Sequence, residues 1–249
     1  MSESAGLAKA YQQFSVGQFQ KGMKLISLVS PQPGERVLDL GCGTGELTYQ
    51  IANLVTQQGK VVAVDPDFER ITLAQKDVPS NIRNITWFNV SAENYVPAKD
   101  ETFDIVFSNF VLHWIPNPQA ILNKLAMALR PNGRLAIQLV FDHPDFVKEV
   151  TLASQVTEEK VLKRYQLFPK DQWEAMVKKS GLTIDSISAA DDYFFENLNA
   201  FFDWWEATTH GTFSRQGIPQ QIKQSYEKEY EQGLHLYGKE TLVLVASKR

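Results

Sequence analysis

The chain has 249 residues, 43% of them hydrophobic and 22% charged, with a formal net charge of −4. That is enough for one large α/β domain or a core domain with an insertion, and the balance excludes a disordered or fibrous protein. A net negative charge gives no general pull toward nucleic acid or an anionic membrane, so neither is expected as a partner.

The one cysteine, Cys42, excludes an intramolecular disulfide and a multi-cysteine zinc site and fits a reducing compartment. The first residues lack a signal-peptide core, and no later run approaches the ~20 apolar residues of a spanning helix. A cytoplasmic protein is the expectation.

In chain order, residues 11–30 carry a helical pattern with Met23, Leu25, Ile26 and Leu28 on a broad apolar side, ended by Pro31 and Pro33. The apolar residues 37–40 read as a short strand buried on both faces, stopped by glycines at 41, 43 and 45. Leu47, Ile51, Leu54 and Val55 then recur at helical spacing. Glycines let the backbone turn tightly and approach a ligand, and free N–H groups at the helix start offer a polar cradle.

Residues 61–65 form a second strand ending on Asp65, and Asp67 can cap a helix carrying Ile71, Leu73 and Ala74. Residues 85–90 and 103–108 are the third and fourth strands. Ile121, Leu125 and Leu129 give a helix expected to stop at Pro131, Asn132 and Gly133, followed by a fifth strand over 134–140. Five alternations predict a doubly wound parallel sheet covered by helices on both faces.

After residue 141 the rhythm breaks. Trp173, Met176 and Val177 form a short amphipathic helix ending at Ser180 and Gly181, and residues 182–187 alternate like a strand. Residues 197–233 read as helices broken at 211–219, a helical cap inserted before a last strand at 241–246. The expected organisation is one domain over 1–249: an N-terminal helical segment (1–34), a cofactor-binding core (35–140), and substrate-side insertions, cap and last two strands (141–249).

A three-glycine loop after a strand is shared by several nucleotide-binding families. Here the spacing is not the G-x-G-x-x-G of nicotinamide or flavin folds, and Asp39 stands two positions before the first glycine. No Gly-Lys-Ser/Thr ending supports a nucleoside triphosphate loop. Asp65 ends its strand twenty positions after Gly45, about the spacing at which a dinucleotide fold sets an acid against ribose hydroxyls.

Residues 37–45, Val-Leu-Asp-Leu-Gly-Cys-Gly-Thr-Gly, resemble the first motif of the class I S-adenosylmethionine-dependent methyltransferases. The resemblance is strong to about Leu139 and weaker beyond. It implies a Rossmann-like seven-stranded sheet whose last strand runs antiparallel, with S-adenosylmethionine as cofactor. It sets Asp39 near the methionyl amine and Ser91, Ala92 and Glu93 near the adenine. The cofactor site so implied comprises Tyr11, Asp39, Gly41, Cys42, Gly43, Gly45, Asp65, Pro66, Ser91, Ala92, Glu93 and Asn109. A catalytic role for Cys42 is disfavoured against a small residue packed in a tight turn.

After the fourth strand, Leu112, His113 and Trp114 resemble the corresponding segment of the trans-aconitate and juvenile hormone acid methyltransferase group. In the latter, an N-terminal Tyr and a following Gln precede the first motif, and the Gln holds the substrate carboxylate together with the Trp. Tyr11 and Gln18 stand at matching separation. The sequence departs from that pattern at Phe19 and Gln20, where the group carries basic residues. The implied catalytic set is Gln18, His113 and Trp114, although a Trp after a strand also serves as core and His113 as a structural histidine.

In the cap, Tyr193, Phe194, Phe195, Phe201, Phe202, Trp204 and Trp205 either pack the cap or line an apolar pocket. The interleaved acids Asp191, Asp192, Glu196, Asp203 and Glu206 either attract an amine or form a solvated face. His113, His143, His210 and His235 are scattered without a ligand motif, so no metal is expected. The leading expectation is carboxyl O-methylation of a small, largely apolar acid, since a carboxylate is already ionised and needs no base. The rivals are N-methylation of a small amine and a non-catalytic cofactor-binding protein. The chain is expected to act as a monomer or homodimer.

Overall fold

Short apolar strands separated by amphipathic helices bury both faces only by stacking side by side with helices above and below. The structure, a computed structural model, describes residues 16–99, 101–142, 145–154, 167–190, 193–209, 212–236 and 241–249. Its strands are β1 (Arg36–Leu40), β2 (Lys60–Asp65), β3 (Ile85–Asn89), β4 (Phe103–Asn109), β5 (Leu129–Val140), β6 (Thr183–Ala190), β7 (Tyr193–Phe195), β8 (Leu234–Leu236) and β9 (Thr241–Ser247). Seven of them form one sheet in the order β3-β2-β1-β4-β5-β9-β6. β1 to β5 are parallel, and β9 runs antiparallel between β5 and β6, the sheet expected from the sequence.

The helices are α1 (Val16–Val29), α2 (Glu46–Val55), α3 (Phe68–Asp77), α4 (Pro118–Ala128), α5 (Asp145–Ala153), α6 (Lys170–Lys179), α7 (Leu198–Thr208) and α8 (Gln220–Glu229). Side chains alternate across each strand, so neighbouring residues feed two cores. Leu38, Val62, Val106 and Leu135 pack with Ile121 and Leu125 of α4 and Trp173 of α6. Val37, Val61, Ile105 and Ala136 pack with Leu25 and Ile26 of α1 and Ile51 and Val55 of α2 on the other face.

α3 begins as its sequence suggests. The Asp67 carboxylate accepts from the N–H groups of Glu69 and Arg70 at 3.0 and 3.1 Å. Asp67→Ala is expected to lower unfolding free energy by about 1 kcal/mol, read from urea denaturation. A change under about 0.2 kcal/mol would show that the cap contributes nothing.

Two boundaries differ from expectation. α4 ends at Ala128, and Pro131, Asn132 and Gly133 lie inside β5, where Asn132 takes φ +63°. The cause is tertiary: the Asn132 N–H donates to Lys248 O at 2.7 Å, and the Lys248 N–H to Gly133 O at 2.9 Å, tying the turn to the end of β9. The cap also holds a two-stranded sheet, β7 with β8, that local periodicity did not reveal.

The cap aromatics pack a core of their own. Phe201, Phe202, Trp204, Trp205, Phe213 and Tyr226 cluster with Val147 and Val150 of α5, and the Trp205 indole N–H donates to Thr151 Oγ1 at 3.1 Å. Asp203 and Glu206 both bind Arg215, whose guanidinium lies 5.4 Å over the Phe202 ring. Those two acids therefore serve the cap and do not form an amine site. Asp191 and Asp192 lie outside the described residues. No helix among the described residues is long and apolar enough to cross a membrane.

Candidate functional site

In an open parallel sheet the crevice lies beyond the carboxyl ends of the strands, where the strand order reverses. That point falls between β1 and β4. The sheet brings Asp39, the glycine loop, Asp65, Pro66, Ser91, Ala92, Glu93 and Asn109 to this edge, with Gln18, His113 and Trp114 beside β4 and β5. Tyr11 lies outside the described residues.

The glycine loop packs against Val111, at the head of the turn that follows β4. Gly41 has φ +79°, and a Cβ on it would run into the Val111 side chain. Only glycine satisfies both constraints. The loop amides turn inward: Gly41 and Cys42 N–H donate to Val64 O at 2.7 and 3.1 Å, and Gly45 N–H to Cys42 O at 3.1 Å. Gly43 N–H donates to Asp65 Oδ2 at 2.9 Å. These four loop amides are therefore engaged internally, whereas the N-terminus of α2 carries no side-chain cap.

Asp39 is 2% exposed, and its Oδ2 accepts from the Thr48 hydroxyl at 2.6 Å. No basic residue among those described pairs with it. Burial pushes its pKa up to about 7; the Thr48 bond opposes this, and Asp65 adds to it. Asp65, also buried, holds one oxygen against Gly43 N–H and the other against Asp67 N–H at 2.9 Å. Burial raises its pKa too, with Arg70 and the two amides pulling the other way. A carboxylate has about four lone-pair sites, so two remain for a diol.

Asn89 Nδ2 and Val90 N–H both donate to Asp65 O at 3.1 Å, which lays the following residues alongside the end of β2. Ser91 and Ala92 there are half-buried, while Glu93 and Pro66 are exposed. Lys124 Nζ donates to Glu93 O at 2.7 Å.

Cys42 is 8% exposed and packs with Ala63 and Ile71. Burial, followed by the charges of Asp39 and Asp65, pushes its thiol well above the usual range. Native protein is expected to resist iodoacetamide near pH 8 and to label once unfolded in guanidinium, read by mass spectrometry. Prompt full labelling of the native protein would contradict this.

β4 ends at Asn109, whose Nδ2 donates to Gln18 O at 3.4 Å, and Gln18 is 7% exposed. Phe110 follows with φ +60°, a left-handed conformation that carries strain for an aromatic residue and that no sequence signal announces. A single turn of 3₁₀-helix, Leu112–Trp114, comes next. His113 is 2% exposed, and its Nδ1 accepts from Val140 N–H at 3.2 Å. That bond assigns hydrogen to Nε2, so the neutral ring is a donor there and not a base. Its ring lies 5.6 Å from that of Trp114, which is half-buried and packs on the cap cluster. Among the described residues no group of three or more His, Cys, Asp or Glu is placed to hold a metal ion.

A protein-family profile described as a methyltransferase domain matches residues 31–200. Among characterised relatives, an arsenite methyltransferase of Halobacterium salinarum is 34% identical over 120 residues, 48% of this chain and 31% of that protein. A ubiquinone/menaquinone biosynthesis C-methyltransferase of Vibrio campbellii is 32% identical over 121 residues, 48% of this chain and 46% of the relative. A trans-aconitate 2-methyltransferase of Deinococcus radiodurans is 31% identical over 133 residues, 53% of this chain and 48% of the relative. The matched part of the chain spans about half or less of the length of these relatives.

Among solved structures, a Bacillus halodurans protein superposes with a TM-score of 0.66 at 22% identity, covering 92% of this chain and 99% of that one. A SAM-dependent methyltransferase from Aquifex aeolicus superposes with a TM-score of 0.59 at 17% identity over 100% of both chains. At these identities the likeness is one of fold.

Proposed function

The chain belongs to the methyltransferase domain family, and we propose that it transfers the methyl group of S-adenosylmethionine to the carboxylate of a small, largely apolar acid. Bound, that cofactor supplies a methyl group activated on a cationic sulfur.

The observation that carries the cofactor reading is Asp39, a buried carboxylate next to the glycine loop that faces no described cation. Such a group is costly unless a positive ligand meets it. Asp65, held by two backbone N–H groups, is oriented to receive ribose hydroxyls with its remaining lone pairs. Ser91 and Ala92 flank it for the adenine.

For the acceptor, Gln18 is buried with its backbone carbonyl against Asn109, and Trp114 packs on the cap cluster beside His113. An ionised carboxylate needs no proton removed, which fits a site whose histidine is a donor. The relative named for trans-aconitate supports an acid, and the engagement of Asp203 and Glu206 by Arg215 weakens the case for an amine. In this reading residues 35–140 hold the cofactor and residues 141–249 shape the acceptor side of one domain.

A panel of apolar acids, amines, arsenite and quinols with methyl-labelled S-adenosylmethionine tests the proposal. Label is expected in a base-labile ester. Label confined to an amine, carbon or arsenic product would overturn the carboxylate assignment. Gln18→Ala and Trp114→Ala are each expected to raise KM for the best acid about tenfold or more, and unchanged turnover in both would remove these residues from the acceptor site.

A further inference from the structure

Gln138 lies two residues from the carboxyl end of β5, on the sheet face that carries Ala136 and packs under α1. It is a lone polar side chain in an apolar run, and it is 2% exposed. Its Nε2 is buried and has no hydrogen-bond partner among the described residues. Across the β4–β5 ladder its register partner is Asn109, whose Oδ1 is likewise buried without a partner. Buried amide groups are nearly always satisfied, so the unmet Gln138 donor, two residues from the end of β5, needs a reason.

The surroundings supply one. The Phe110 N–H donates to Gln138 O at 2.7 Å, so this residue abuts the turn leading to His113 and Trp114. The backbone carbonyl of Gln18 accepts from Asn109 Nδ2, and at Gly22, one turn further along α1, a Cβ would run into the Leu47 side chain of α2 and lie 3.0 Å from Asn109 Nδ2. The Asn109 and Gln138 side chains and the backbone carbonyl of Gln18 thus lie beneath α1, on the sheet face whose neighbours are apolar.

We propose that Gln138 is an acceptor-binding residue whose Nε2–H donates to an oxygen of the methyl acceptor. This rests on the reading of the acceptor as an acid: Gln138 holds one carboxylate oxygen and leaves the other to react. The donor stays unmet in the ligand-free protein and is matched by an oxygen-bearing acceptor, which discriminates against an analogue lacking that oxygen.

Gln138→Met keeps the volume and removes the donor. The variant is expected to melt about 2–4 °C higher than wild type without ligand, because an unmet buried donor is gone. It should bind S-adenosylmethionine within about twofold of wild type by calorimetry, and raise KM for the best acceptor about tenfold or more with kcat changed less than about threefold. A lower melting temperature, or a KM within about twofold of wild type, would overturn the proposal. If wild type methylates an amine, carbon or arsenic and no acid, the carboxylate reading fails in wild type alone. The same KM comparison, run with that acceptor, then decides Gln138.

Discussion

Asp39→Asn is expected to weaken S-adenosylmethionine binding about a hundredfold near pH 8, the size of losing one poorly solvated ionic partner, and at the same time to stabilise the ligand-free protein. Both effects come from one placement. Asp39 is the penultimate residue of β1, sealed by α2 and held by the Thr48 hydroxyl. Burial raises its pKa from the ordinary 3.8 to about 7. A folded-state value above the unfolded one means that the folded protein binds the proton more tightly, so stability falls as pH rises through that window. Below about pH 4 the residue is neutral in both states and the cost is absent; above about pH 7 the full cost stands, at most about 4 kcal/mol. Asn keeps an acceptor for Thr48 and carries no charge. Urea unfolding should therefore find the variant more stable near pH 8, with the gap closing toward pH 4. A variant less stable near pH 8, or one that binds the cofactor as well as wild type, would contradict the role given to Asp39.

Gly41→Ala is expected to destabilise the fold by about 3 kcal/mol, combining left-handed backbone strain with overpacking, and to impair both ligands together. The new Cβ would collide with Val111, which stands at the head of the Leu112–Trp114 turn. Displacing Val111 moves Trp114, so KM for the acceptor should rise along with the Kd for the cofactor. Gly41→Ala combined with Val111→Ala relieves the collision and keeps the strain, and roughly half of the lost stability should return. A single variant as stable as wild type, or a double variant no better than the single, would show that the contact does not couple the two loops.

The parallel core was legible because its strands are continuous apolar runs and its helices recur at helical spacing. Asp67 as a cap and Cys42 as packing were equally local signals. What escaped depends on tertiary pairing. The inward turn of the loop amides needs Val64 and Asp65 from another strand, and the early end of α4 needs Lys248 from the far end of the chain. β7 and β8 are three residues each, too short to show a period. In the site, the sequence marked Asp39 and Asp65 by their place before and after the glycines. Thr48, Val111 and the strained Phe110 carried no mark, because their roles arise from what packs against them. Gln138 did carry one, a polar residue inside a buried strand, but its meaning depends on its register with Asn109.

The most direct test of the account is calorimetric titration of wild-type protein with S-adenosylmethionine near pH 7 in buffers of different ionisation enthalpy. Asp39 is about half protonated there in the free protein, so one-to-one binding of a cationic ligand should release a fraction of a proton, and Asp39→Asn should abolish that release. Failure to bind, or binding whose proton exchange is the same in wild type and Asp39→Asn, would contradict the account.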